Sequence, residues 1–174
     1  TVIPASDLRR FARYLVARFH KGKVAIQHKA VPYDWDELLK GYREKKVPDA
    51  ARILTAAREE ARRNGWAVTI AVVDDGGHPL ALERLDGCAP IGADICTEKA
   101  RTAALGRRES KGYEDMINGG RNAFLSVPVM TGLLEGGVPV VVAGQVVGAV
   151  GVSGVKPDQD AQVARAGAAA IQAD

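Results

Sequence analysis

The sequence predicts an α+β fold, an antiparallel β-sheet with helices packed on it. Three observations carry this. Helical periodicity is interrupted twice by paired β-branched runs, giving the order helices, hairpin, helices, hairpin, helix. The second pair of runs is almost wholly apolar, which calls for cover on both faces. And the chain, 174 residues with 47% hydrophobic and 26% charged, suits one folded domain plus an extension.

The opening reads as helix. Ser6 is placed to cap it, and Leu8, Phe11, Ala12, Leu15, Val16 and Phe19 recur at three- and four-residue steps. A polar stretch from His20 to Lys29 follows, and Pro32 stops continuation. Asp34 with Glu37 has the capping-box pattern, and Trp35, Leu38, Leu39 and Tyr42 give a short helix one apolar face. These segments define a helical N-terminal extension, residues 1–48, ahead of a domain at 49–174. Asp49 opens the next helix, lined by Ile53, Leu54, Ala57 and Ala61 and ended by Asn64-Gly65.

From Trp66 the period changes. Ala67 to Val73 and Pro79 to Leu85 flank Asp74-Asp75-Gly76-Gly77, a hairpin signature. Ile91 to Leu105 is a helix whose Ile95, Ala100, Ala103 and Ala104 admit a close neighbour, and 111–118 is a shorter helix before Gly119-Gly120. Val138 to Val142 and Val146 to Val152, joined through Ala143-Gly144, form the second hairpin. Pro157-Asp158 opens an Ala-rich helix to Ile171.

Charge is uneven. Residues 1–65 carry 15 Lys and Arg against eight acidic residues, and the remainder nine against 13. The basic charges alternate with apolar residues at helical spacing and come with no zinc-finger or RNA-recognition motif. They read as solvated faces or contact with an acidic neighbouring subunit rather than nucleic-acid binding. No apolar run reaches the roughly 18 residues of a membrane span, and no charged-then-apolar leader opens the chain. The expected location is cytoplasmic, although a processed N-terminus at Thr1 would look the same.

Familiar catalytic motifs are missing. Gly148, Gly151 and Gly154 are followed by no Lys-Ser/Thr pair, and Val155 stands where a nucleophile elbow around Ser153 needs Gly. Neither HExxH nor CxxC occurs, and Cys88 and Cys96 read as small packed thiols. The remaining candidates are Gly136-Gly137 before Pro139, where backbone N–H groups can approach a ligand or form a tight turn, and a charged set of Arg84, Asp86, Glu98, Lys99 and Arg101. Glu98 and Arg101 also have the spacing of a surface pair. His78 falls in a hairpin turn and reads as exposed, whereas His20 and His28 are candidate haem-iron ligands.

Val68-Thr-Ile-Ala-Val-Val-Asp-Asp-Gly-Gly-His78, Glu98-Lys-Ala-Arg-Thr-Ala-Ala104, Glu135-Gly-Gly-Val-Pro-Val140 and Val147-Gly-Ala-Val-Gly-Val-Ser-Gly154, followed by Asp158-Gln-Asp160, occur in this order. Through them residues 53–172 resemble the GlcG/HbpS family, the haem-binding and glycolate- or propanediol-operon-associated proteins that also form the C-terminal domain of PduO-type corrinoid adenosyltransferases. The resemblance implies a profilin/PAS-like layering of sheet and helices and a homo-oligomer. It also implies a pocket that uses Arg84, Asp86, Glu98, Lys99, Arg101, Gly136, Gly137 and Pro139. The N-terminal extension departs from the family.

Two functions follow. One is a binding protein for haem, another tetrapyrrole or a related small cofactor, with His20 or His28 as axial ligand and Arg84 or Lys99 near the propionates. The other is a small-molecule catabolic enzyme, a lyase, isomerase or hydrolase, acting on a small hydroxy or aromatic carboxylic acid in a pocket at a subunit interface. There Arg84 would hold the carboxylate, Glu98 or Lys99 would serve as general acid/base and the Gly136-Gly137 amides would stabilise an oxyanion.

Overall fold

The computed structural model describes residues 49–172. The extension, and with it His20 and His28, lies outside the described residues. Helix α1, Ala50–Arg63, starts where Asp49 Oδ1 accepts from the Arg52 amide at 3.1 Å and ends at Asn64 with Arg62 and Arg63 in its last turn. Strands β1, Thr69–Asp74, and β2, Pro79–Arg84, form the predicted first hairpin. Helix α2, Gly92–Gly106, and α3, Lys111–Asn118, follow. Strands β3, Gly137–Val142, and β4, Gln145–Ser153, make the second hairpin, and helix α4, Pro157–Gln172, is last. A 3-10 turn at Asn122–Ser126, too short to leave a periodic signature, was not foreseen from the sequence.

All four strands pair antiparallel in the order β2-β1-β4-β3. Strand alternation separates two cores. Ile70, Val72, Val138, Val140, Val150 and Val152 pack against Ile53, Ala57 and Ala61 of α1 and Val163, Ala164 and Ala168 of α4. The intervening residues Ala71, Val73 and Ala149 meet Cys96, Ala100, Ala103 and Ala104 of α2. The near-continuous apolar strands are thus covered on both faces by helices, as their composition required.

The α2 face is built from small residues because the helix lies against strand backbone. Gly137 of β3 pairs with Gly151 of β4 beneath it. A Cβ on Gly151 would stand 1.9 Å from Cys96 O, and one on Gly137 2.2 Å from Lys99 O. Neither site has room for alanine. No described helix is long and apolar enough to cross a membrane.

Candidate functional site

Most of the predicted site residues fall at one end of the sheet, where β2 and β4 finish and β1 and β3 begin. Thr69 is paired with both Arg84 and Ser153, and Gly137 with Gly151. Arg84 and Gly137 stand on the two outer strands, about 14 Å apart across the sheet at three strand spacings and two residues apart along it. The candidates therefore form two groups rather than one.

The group on the β3 side is buried. Lys99 extends from α2 to the first turn of α4, where Nζ lies 2.9 Å from Asp160 Oδ2 and donates to Val152 O at 3.0 Å. Both side chains are at least 95% buried. Asp160 Oδ1 also accepts from the Val155 amide at 3.1 Å. Burial pushes the Asp160 carboxyl above its ordinary range, while the Lys99 ammonium and backbone amides oppose the rise. Gly136 is required here. Its φ is +123°, and a Cβ would lie 2.8 Å from Val152 O and 2.9 Å from Lys99 Nζ. The Gly137 amide donates to Ser110 Oγ at 2.8 Å, and Gly137 O accepts from the Ser110 amide at 2.9 Å. The close approach made by the two glycines is therefore to the chain's own α2 and to Ser110. Pro139 is half-buried on β3, an outer strand that tolerates its missing N–H.

The group on the β2 side is open. Arg84 is exposed and its Nη1 donates to Cys88 O at 3.2 Å; Asp86 is exposed in the turn that follows. Leu80, Leu82 and Arg84 alternate along β2 and share one face of this outer strand, with Leu80 39% and Leu82 47% exposed. Nearby, Cys88 Sγ is 3.2 Å from Thr69 Oγ1 in a buried contact, and both cysteines are free and buried. Burial raises the Cys96 thiol to about 12.

Glu98 and Arg101 do not pair with each other. Glu98, half-buried, accepts from Thr131 Oγ1, and Arg101 reaches the opposite end of the sheet to donate to Gly77 O at 3.5 Å. His78 is exposed in its turn as expected, its Nδ1 3.2 Å from Asp74 Oδ1. Among the described residues no cluster of three or more His, Cys, Asp or Glu can hold a metal ion. Sequence reasoning assigned no role to Asp160, although an acid in the first turn of α4 was visible, and it overlooked Ser110, which no motif marks.

Comparison with known proteins agrees with this architecture. Residues 46–169 match the family model described as haem degrading protein HbpS-like. Over 104 residues, 60% of this chain and 77% of the relative, it is 66% identical to protein GlcG of Escherichia coli strain K12. The crystal structure of a double mutant of HbpS from Streptomyces reticuli matches with a TM-score of 0.64 at 35% identity, covering 69% of this chain and 82% of that one. The structure of a PduOC:haem complex matches with a TM-score of 0.65, covering 70% and 90%; at 22% identity it speaks for the fold alone. With its sheet, its helices and 124 consecutive residues matching the family model, the chain belongs to the HbpS-like family.

Proposed function

We propose that this chain binds haem, or another tetrapyrrole or related cofactor bearing carboxylates. The observation that carries the reading is the stripe on β2. Leu80 and Leu82 offer exposed apolar surface, and Arg84 stands at its end with a guanidinium suited to a carboxylate. A flat apolar ring with acidic edges needs those two features side by side. Membership of a family described as haem degrading supports the same ligand. His20 and His28, the candidate iron ligands of the sequence, lie outside the described residues. His78, the one described imidazole, is the comparison: its Nδ1 faces Asp74 in the β1–β2 turn, at the opposite end of β2 from Arg84. When bound, haem would supply the iron, and Leu80, Leu82 and Arg84 would supply apolar contact and a carboxylate anchor.

Haemin titration followed in the visible spectrum tests this. A stoichiometric Soret shift is expected, lost in His20→Ala or His28→Ala, retained in His78→Ala and weakened in Arg84→Gln. An unchanged titration of Arg84→Gln removes that residue from the site. No saturable shift, together with a homo-oligomer mass by light scattering that falls on replacing Leu82 with Glu, assigns the stripe to a subunit contact and overturns the proposal.

A further inference from the structure

Two arginines outside the region discussed so far stand together with no acid beside them among the described residues. Arg108 follows α2, and its guanidinium carbon lies 3.8 Å from the centre of the Tyr113 ring. Arg121 follows α3, with its guanidinium carbon 5.0 Å from the centre of the Phe124 ring. The rings meet edge to face, centres 5.6 Å apart. Both guanidiniums point at one neutral atom: Arg108 Nη2 is 3.7 Å and Arg121 Nη1 3.9 Å from Met116 Sδ. A thioether sulfur is a weak acceptor and carries no charge to balance them.

The acids in this part of the chain are engaged elsewhere. Glu109 pairs with Arg165, Asp115 and Glu135 with Lys111, and Glu114 accepts from the Glu135 amide. Among the described residues neither Arg108 nor Arg121 has a carboxylate partner, although both are exposed. The two nitrogens are within about 7.6 Å of each other, since each is near the same sulfur. A carboxylate accepting at about 2.8 Å on each oxygen spans such a gap. Each guanidinium already rests near an aromatic ring, which reduces the ordering a ligand has to impose.

We infer that Arg108 and Arg121 form a binding site for a small organic carboxylate, clamped between the two guanidiniums beside Met116. This site does not depend on the tetrapyrrole reading and uses none of its residues.

The chain contains two methionines, Met116 and Met130, so labelling methionine methyl groups with carbon-13 gives two assignable NMR signals for the full chain. Sodium benzoate at constant ionic strength is the probe. The Met116 signal, identified by its loss in Met116→Leu, is expected to move saturably, with Met130 as reference. Affinity should fall roughly tenfold or more in both Arg108→Gln and Arg121→Gln, each of which loses one charge-assisted contact. Arg121→Lys, which keeps charge but not the planar fork, should fall between. No saturable movement of Met116 in the parent chain up to roughly 50 mM benzoate, far above a millimolar Kd, overturns the inference. So does a response in both Gln variants equal to that of the parent chain, or a response to inorganic phosphate and not to benzoate.

Discussion

Replacing Lys99 by methionine separates a structural lysine from a ligand-binding one. The ammonium is at least 95% buried, 2.9 Å from a carboxylate buried as deeply. Methionine fills much of the same volume but leaves Asp160 charged, dry and short of its main partner. Removing one member of such a pair costs about 3–5 kcal/mol. At about 2–4 °C per kcal/mol for a chain of this size, Tm should fall by roughly 6–20 °C. The loss should also depend on pH. The Asp160 carboxyl already sits above its ordinary 3.8 because of burial, and taking away Lys99 removes a group that holds it down. In the variant the folded state therefore keeps a proton that the unfolded chain releases, and stability falls as pH rises through the folded pKa. Urea unfolding of Lys99→Met at a series of pH values reads both effects: near parity with the parent in acid and a widening deficit toward neutral pH. Lys99→Met/Asp160→Asn should recover much of the deficit, because no uncompensated charge remains. A variant within about 0.5 kcal/mol of the parent at neutral pH, with no pH dependence, would show that the pair does not hold α2 to α4.

Gly151→Ala should destabilise by about 1–3 kcal/mol or more in urea unfolding, since its Cβ would stand 1.9 Å from Cys96 O; a neutral result would mean that α2 lifts from the sheet at little cost. With its thiol raised to about 12, Cys96 should resist iodoacetamide at pH 8 in the folded chain and be alkylated once urea unfolds it, as mass spectrometry of the digest will show. Arg165 holds Glu109 below its ordinary 4.5, and the His78 and Gly76 amides more than offset burial in holding Asp74 below 3.8. In both cases the unfolded chain binds the proton more readily. Stability should be constant above those values and fall as pH drops through and below them, with Asp74→Asn flattening part of the acid limb of a Tm-against-pH curve.

The elements were legible because punctuation and period agreed. Asn64-Gly65 ended α1, Asp74-Asp75-Gly76-Gly77 turned the first hairpin, and the Val runs of β3 and β4 admitted no polar face. The site was less legible for a physical reason. Lys99 and Asp160 are 61 positions apart, and only the packing of α2 and α4 at the end of the sheet brings them to 2.9 Å. No local pattern encodes that distance. Read alone, a lysine on a small-residue helix fits a ligand contact as well as a buried ion pair. Arg108 and Arg121 were hidden differently, since their pairing depends on Tyr113 and Phe124 meeting across an irregular segment.

The later segments through which the chain resembles its family, from Glu98 onward, converge in space. Glu98-Lys-Ala-Arg-Thr-Ala-Ala104 brings Lys99, Glu135-Gly-Gly137 brings the backbone that clears it, Val147–Gly154 brings Val152 O and the gap at Gly151, and Asp158-Gln-Asp160 brings the counter-charge. Together they form a lock that joins α2, α4 and the two later strands, with its polar groups turned on one another. A signature of this kind reports the fold, because Lys99, Gly136, Gly137, Gly151 and Asp160 are consumed in packing. The stripe ending at Arg84 and the guanidiniums of Arg108 and Arg121, the two proposed ligand sites, lie outside this lock. Substitutions at Arg84, Arg108 and Arg121 should therefore alter the proposed binding without changing how the chain folds.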